Sequence, residues 1–251
     1  MAYQSTFKRH EIKYLMDQAQ KADILAAMEP HMKLDSYGRS SVRSIYYDTE
    51  NWRLIRRSLE KPVYKEKLRV RSYGQAGPRD RVFVEIKKKY KKVVYKRRIA
   101  LPLDQVEDCF RRGTRLPAAS QISDEIEYFR GYYKGLRPAV FLSYEREAFY
   151  ALDGSDFRVT FDEDILYRDY DLSLADGVYG VPLLKPGQTL MEVKTAGGMP
   201  LWMSSELNRL GLFKESFSKY GLAYRDIMAG GSRKAGAKYD GNNERRILNA
   251  G

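Results

Sequence analysis

The clearest pattern in the sequence is an alternation of basic and apolar residues along short segments. Its strongest example is Lys67-Leu68-Arg69-Val70-Arg71. Successive side chains of a β-strand point to opposite faces, so the three cations share one face and the two apolar residues share the other. Because neighbouring cations repel one another, such a face needs an anion beside it.

The same alternation recurs on other segments that we predict to be strands. The charged pairs on one face are Glu85 and Lys87, Lys96 and Arg98, Arg158 and Asp162, and Glu192 and Lys194. One such strand alone is typical of an antiparallel sheet with a solvated side. The recurrence, with apolar residues on the opposite faces, favours a barrel whose hydrophobic faces pack outward beneath helices and whose polar faces line a lumen.

Periodicity and turn residues predict an α+β fold built on an antiparallel sheet. The predicted strands are residues 7–15, 42–48, 65–73, 81–88, 93–101, 139–150, 157–162 and 189–194. The predicted helices are residues 17–28 with Asp17 as the cap, 51–59, 104–112 ended by Gly113, and 123–133. Another helix is capped by Ser204 or Ser205 and stops near Gly211, and a short turn or helix follows at 216–220. We expect residues 163–188 to be irregular. Residues 1–228 form one predicted domain, and 229–251 a disordered tail.

Composition narrows the class of partner. Lys and Arg number 45 against 33 for Asp and Glu, giving a net charge of +12 and favouring a polyanionic partner. The single cysteine, Cys109, excludes an internal disulfide and a cysteine-based zinc site, and two histidines are too few for a multi-histidine metal site. We find no signal peptide and no apolar run long enough to span a membrane, and we expect a cytoplasmic location.

The glutamates among the cations help to decide which class of polyanion the protein binds. Glu11, Glu85 and Glu192 lie in the middle of the predicted basic surface, where they would repel a nucleic-acid backbone. Carboxylates among cations make better sense if a divalent metal joins them to phosphate. The alternative is that these glutamates only form structural ion pairs with neighbouring Lys and Arg. No nucleophile motif, P-loop or dinucleotide-binding glycine pattern is present.

A series of short motifs, taken in order, resembles one family. The motifs are Arg9-His10-Glu11-Ile12-Lys13-Tyr14, Ser44-Ile45-Tyr46-Tyr47-Asp48-Thr49, Lys67-Leu68-Arg69-Val70-Arg71-Ser72-Tyr73-Gly74, Glu85-Ile86-Lys87, Lys96-Arg97-Arg98, Tyr144-Glu145-Arg146, Arg158-Val159-Thr160-Phe161-Asp162, Glu192-Val193-Lys194 and Ser218-Lys219-Tyr220. Together they resemble the vacuolar transporter chaperone (VTC) domain, the catalytic domain of eukaryotic polyphosphate polymerases, which also has bacterial relatives. That domain belongs to the triphosphate tunnel metalloenzymes.

The resemblance implies an antiparallel β-barrel tunnel with helices packed outside, and a metal-dependent transfer of the ATP γ-phosphate to inorganic polyphosphate. By motif position, the catalytic phosphate-binding residues would be Lys13, Arg69, Arg71, Lys87, Arg146, Arg158 and Lys219. Further substrate contacts would come from Lys67, Lys96, Arg98, Tyr144, Lys194 and Ser218. Glu192, helped by Glu11 and Glu85, would bind Mn²⁺ or Mg²⁺.

One departure separates two branches of this superfamily. The triphosphatase and cyclase-like branch begins with Glu-x-Glu-x-Lys, whereas the first position here is Arg9. One carboxylate fewer disfavours a second metal and hydrolysis. Two alternatives stay open: a metal-dependent tripolyphosphatase or nucleoside triphosphatase, and a non-catalytic binder of polyphosphate or inositol phosphates. We expect ATP and polyphosphate as ligands, no nucleic acid, and membrane association only through a separate partner.

Overall fold

The computed structural model describes residues 10–91 and 93–231, which form ten strands and six helices. The strands are β1 His10–Met16, β2 Met32–Leu34, β3 Ser40–Asp48, β4 Tyr64–Tyr73, β5 Arg81–Tyr90, β6 Val93–Pro102, β7 Arg137–Ala151, β8 Arg158–Arg168, β9 Val181–Pro182 and β10 Thr189–Thr195. The helices are α1 Gln18–Met28, α2 Arg53–Leu59, α3 Leu103–Arg112, α4 Gln121–Tyr132, α5 Leu201–Arg209 and α6 Lys219–Asp226. A last helical turn covers Ile227–Gly231.

All strand pairs are antiparallel and belong to one curled sheet. Its order is β1-β10-β8-β7-β3-β4-β5-β6, with β2 paired to β7 and β9 to β8. Among the described residues the two edge strands, β1 and β6, share no backbone ladder. Side chains bring the two ends of the sheet together, because Lys87 Nζ of β5, the strand next to β6, lies 3.4 Å from Glu11 Oε2 of β1. The fold is therefore an antiparallel β-tunnel of the α+β class, as the alternation predicted.

The chain after α5 helps to close this seam. The backbone amide of Glu215 donates to the Lys13 carbonyl of β1 at 2.7 Å. Lys13 Nζ in turn donates to the carbonyl of Phe217 at 3.0 Å. On the other side, Lys67 of β4 approaches Ser218 Oγ at 3.5 Å. Residues 215–218 therefore connect β1 to β4 across the seam.

The outward faces of the strands are apolar and covered by helices, which confirms the inside-out arrangement. Leu68 and Ile86 are buried in one cluster with residues of α3 and α4. Val159 and Met191 are buried in a second cluster with residues of α1 and α5. At about 1.5–3 kcal/mol per buried aliphatic side chain, these two outer layers, rather than the lumen, supply most of the hydrophobic stabilisation.

Helix ends follow the residues expected to set them. Asp17 caps α1 by accepting from the amide of Gln20 at 2.8 Å, while the Gln20 side chain accepts from the Asp17 amide. This reciprocal pair satisfies two amides that have no partner inside the helix. Gly113 ends α3 with a φ of 69°, a conformation in which glycine avoids the strain of a side chain.

Three predicted elements differ from the structure by more than two residues, and the short strands β2 and β9 were not predicted. β8 continues past Asp162 to Arg168, because Ile165 and Tyr167 bury their side chains despite the acidic residues between. α5 begins at Leu201 after Pro200, before the serines that we expected to cap it. α6 spans Lys219–Asp226 with Ser218 as its N-cap, so the short turn or helix expected at 216–220 is a helix that begins later and runs further. Residues 7–9, 92 and 232–251, including nearly all of the predicted tail, lie outside the described residues.

In the described part of the chain, no helix combines the length and the apolar character needed to cross a bilayer.

Candidate functional site

Six strands (β1, β4, β5, β6, β7 and β10) and the helix α6 direct basic side chains into the lumen. The alternation of side chains fixes which residues face inward, and the antiparallel register places them side by side. Lys13 lies opposite Glu192, Arg69 opposite Glu85, and Lys87 opposite both Lys67 and Lys96. The tunnel therefore brings together residues separated by up to two hundred positions in sequence.

Glu192 is the most highly connected carboxylate of the lumen. Its Oε1 lies 3.1 Å from Lys13 Nζ and 3.1 Å from Lys219 Nζ, and its Oε2 lies 3.5 Å from Lys194 Nζ and 3.7 Å from Arg146. Burial alone would raise the pKa of this carboxyl group. The surrounding cations, Lys219 and Lys13 above all, outweigh burial and hold the pKa well below its usual value. Glu192 is therefore a carboxylate at neutral pH.

Asp162 is a second buried carboxylate, which our list of site residues missed. Arg146 contacts it through two parallel hydrogen bonds of 2.6 and 2.7 Å, and Lys219 donates to it as well. The carboxylate is fully buried. Burial raises its pKa, but Arg146 and Lys219 reverse that effect and leave the pKa lowered. The sequence signal for Asp162 was alternation, because it shares one strand face with Thr160 and Arg158.

Arg69 and Glu85 form a separate group on the opposite wall. Arg69 Nε and Nη2 each lie 2.7 Å from Glu85 Oε2, and Lys96 Nζ lies 2.7 Å from Oε1. Arg98 is more distant, at 3.8 Å. Despite burial, Arg69 and Arg71 lower the pKa of Glu85. Glu85 thus lies in an ion-pair group apart from the one around Glu192.

Arg71 differs from the other lumen arginines because its described partners are hydroxyl groups. It donates from Nε to Ser44 Oγ at 3.0 Å and from Nη2 to Tyr144 Oη at 3.0 Å. The residue is only 5% exposed. Although Arg71 also lowers the pKa of nearby Glu85, no carboxylate hydrogen-bonds to it among the described contacts. Its guanidinium can therefore bind an incoming phosphate oxygen.

A tyrosine that we did not predict completes this wall. Tyr46 Oη accepts a hydrogen bond of 2.9 Å from Arg69 Nη1. Burial would raise the pKa of the phenol, but Arg69, Arg71 and Lys67 lower it to about 7. Burial also lowers the pKa of Lys67 to about 8. The sequence signal for Tyr46 was its alternation with Ser44 on the inward face of β3.

The margin of the lumen is formed by Lys87 and Arg158, whereas Lys194 also reaches Glu192 Oε2 at 3.5 Å. Lys87 contacts Glu11 and lowers the pKa of that carboxyl group to about 2, against the opposing effect of burial. Burial lowers the pKa of Lys194. Arg158 lies directly across the ladder from Lys194 but is exposed. The structure therefore brings Arg158 to the rim of the lumen rather than to the group around Glu192.

Two of the three predicted metal-binding carboxylates converge. Lys13 Nζ lies 3.1 Å from Glu192 Oε1 and 3.4 Å from Glu11 Oε1. Carboxylate oxygens suit Mg²⁺ and Mn²⁺, which are commonly held by one or two carboxylates together with phosphate oxygens. Over residues 10–91 and 93–231, no group of three or more acidic, histidine or cysteine residues could hold a metal by itself. The donor set fits an ion that binds together with a phosphate ligand.

Comparisons with known proteins agree with this geometry. The sequence model of the VTC domain family matches residues 8–227. No curated protein matches the chain significantly. A proposed adenylate cyclase from Bacillus halodurans has a similar structure, with a TM-score of 0.53 and 10% identity over 85% of this chain and 95% of that chain. A proposed adenylyl cyclase from Hippeastrum, reported to have a dominant triphosphatase activity, gives a TM-score of 0.53 and 14% identity over 89% and 96%. At these identities the likeness concerns the fold alone.

Proposed function

Because the chain belongs to the VTC domain family, whose sequence model matches residues 8–227, we propose that it transfers the γ-phosphate of ATP to a growing polyphosphate chain. Family membership supports the broader class, a tunnel enzyme that acts on polyphosphate or triphosphates. The observation that carries the finer proposal is the division of the lumen into two groups, one around Glu192 and one around Glu85.

The cations supply what phosphoryl transfer requires most, which is positioning and charge neutralisation. Arg71 offers donors without a carboxylate partner among its described contacts, and Lys219 and Arg146 meet from a helix and a strand at Asp162. In a lumen that excludes much water, such fixed donors stabilise developing negative charge more strongly than they would in solution. The terminal phosphate of the acceptor is itself an anion, so no side chain has to remove a proton from a neutral nucleophile.

A divalent metal is implied by the tunnel metalloenzyme superfamily, and we assign it to Glu192 with Glu11 beside it. When bound there, Mn²⁺ or Mg²⁺ would neutralise charge on the phosphate oxygens of the donor. Lys13 contacts both carboxylates and keeps them close together.

The position of Glu85 supports transfer over hydrolysis. A hydrolase that activates water with two metals would need a third carboxylate near Glu11 and Glu192. Glu85 is instead occupied by Arg69 and Lys96. Asp162, the other buried carboxylate near Glu192, is occupied by Arg146 and Lys219. The remaining carboxylates suit one metal that neutralises phosphate charge better than a pair of metals that generates hydroxide.

Incubation of the purified protein with ATP and Mn²⁺ tests the proposal, with products resolved by phosphorus NMR and gel electrophoresis. We expect long-chain polyphosphate and ADP. The Arg71→Ala variant serves as the control for contaminating activity, because it should produce neither. Orthophosphate without chain growth would replace the polymerase by a hydrolase, and binding without turnover would indicate a receptor.

A further inference from the structure

A row of buried contacts joins the wall that carries Arg69 to the helix that carries Lys219. Tyr46 accepts from Arg69 Nη1, and its ring stacks on Tyr220 with centroids 4.6 Å apart and an interplanar angle of 21°. Tyr220 directly follows Lys219 in α6 and is 2% exposed. The strand-borne and helix-borne cations are thus connected through two aromatic rings.

Asp48 fixes the far end of this row. Tyr220 Oη donates to Asp48 Oδ2 at 2.8 Å. The same carboxylate accepts from the amides of Leu54 and Ile55 at 2.9 and 3.0 Å, in the first turn of α2. The residue before α2, Trp52, provides no side-chain cap. Asp48 therefore replaces that cap and ties α2 and α6 to the end of β3.

Close packing between the two helices leaves α6 little freedom to move. A Cβ added to Gly221 would lie 2.9 Å from Leu59 Cδ2 of α2 and 3.1 Å from Ser218 Oγ. A side chain at this position would force Leu59 to shift, so the N-terminal turn of α6 packs closely against α2. That turn carries Lys219, which bonds to Asp162 and Glu192.

We propose that Tyr46, Tyr220 and Asp48 are positioning residues that hold Lys219 in register with Arg69 for binding of one oligophosphate. Their part in phosphoryl transfer rests on the proposed function, whereas their effect on Lys219 does not. Asp48 and the hydroxyl of Tyr220 act through Lys219, because the described partner of that hydroxyl is Asp48. The ring of Tyr220 also contacts Tyr46 and lies 5.6 Å from Lys67 Nζ, and Tyr220→Phe leaves these ring contacts in place. Tyr46 acts from the other side, through Arg69 and through the ring of Tyr220.

Chemical labelling tests the positioning directly. In the wild type we expect slow acetylation of Lys219 by an amine-reactive ester, because its side chain is 10% exposed and ion-paired. Tyr220→Phe keeps the ring but removes the bond to Asp48, and should accelerate acetylation of Lys219. Lys21, equally exposed at 10% and paired with Glu147 and Glu163, is the internal reference. Unchanged labelling of Lys219 relative to Lys21 would overturn the proposal.

Binding of tripolyphosphate without metal tests the consequence for the ligand. The net contribution of one hydrogen bond corresponds to roughly a 2- to 12-fold change in affinity, and we expect a loss of about fivefold for Tyr220→Phe. In a Lys219→Ala background, Tyr220→Phe should cause no further loss of tripolyphosphate affinity, because the hydroxyl of Tyr220 acts through Lys219. An equal additional loss in that background would contradict the mechanism.

Two further variants complete the design. Tyr224→Phe makes the same substitution on the same helix at a ring that packs against Trp52, and should change neither readout. Tyr46→Ala breaks the row from the other side and should also accelerate Lys219 acetylation, which keeps the test decisive if Tyr220→Phe does not fold. If wild-type protein binds no tripolyphosphate, the proposed function fails, and the labelling result still decides the positioning.

Discussion

Replacing Asp162 by asparagine keeps the shape of a fully buried side chain but removes its negative charge. Arg146 then loses a charged partner that it contacts at 2.6 and 2.7 Å, and Lys219 loses one of its two carboxylates. Removing one partner of a buried ion pair costs about 3–5 kcal/mol of unfolding free energy. Glu192 remains 3.1 Å from Lys219 and 3.7 Å from Arg146, so we expect the lower end, about 3 kcal/mol.

Thermal unfolding with and without tripolyphosphate measures this effect. For a chain of this size, about 3 kcal/mol corresponds to a fall in Tm of roughly 6–12 °C. Tripolyphosphate supplies the missing negative charge, so the ligand should raise the Tm of the variant more than that of the wild type. Asp164→Asn is the matched control, because Asp164 is 66% exposed and its pair with Arg39 contributes little. A Tm difference that stays the same with and without ligand would refute the reasoning.

Three other predictions concern the phosphate and metal contacts. Arg71→Ala should lower phosphate transfer by at least about a hundredfold while the protein stays folded, because its hydrogen-bond partners are neutral hydroxyls and nearby Glu85 keeps its direct ion pairs with other cations; wild-type rates would remove Arg71 from the site. Glu192→Gln should abolish the dependence of activity on Mn²⁺, and a metal titration like that of the wild type would place the metal elsewhere. Lys67, with its pKa lowered to about 8 by burial, binds anions in its protonated form, so tripolyphosphate affinity should fall as the pH rises through 8. Lys67→Arg should reduce that fall, and an unchanged calorimetric pH profile would show that Lys67 does not contact the ligand.

The inward faces of the strands were predictable because a period of two leaves little choice of face. Once Arg69 was placed inside, Lys67 and Arg71 followed, and Leu68 and Val70 had to face the helices. Asp17 and Gly113 also marked helix ends correctly, since capping is a local interaction between neighbours in sequence. Local rules therefore determined most of the tunnel wall.

Contacts between distant segments were not predictable in the same way. Glu85 pairs with Arg69 and Lys96 and does not join the group around Glu192. This choice of partners depends on the curvature of the sheet, which no single segment encodes. Tyr46 is uncharged, so the alternation of charged residues did not mark it, although its phenol lies among three cations. The extension of β8 to Arg168 was missed because burial of Ile165 and Tyr167 overrides the low strand propensity of the preceding acidic residues.

The seam between β1 and β5 has a topological consequence. A barrel closed by a continuous strand ladder is a ring, and a polymer can pass through a ring only by one of its ends. Here the described closure consists of the partly exposed Glu11–Lys87 pair and of residues 215–218, which hydrogen-bond to Lys13 and Lys67 on the two sides of the seam. An exposed ion pair contributes only about 0.2–1 kcal/mol, so the seam can part while every strand ladder stays intact. The lumen is in this sense a slot bridged by residues 215–218 rather than a closed ring, and its width can change without the loss of any strand pairing.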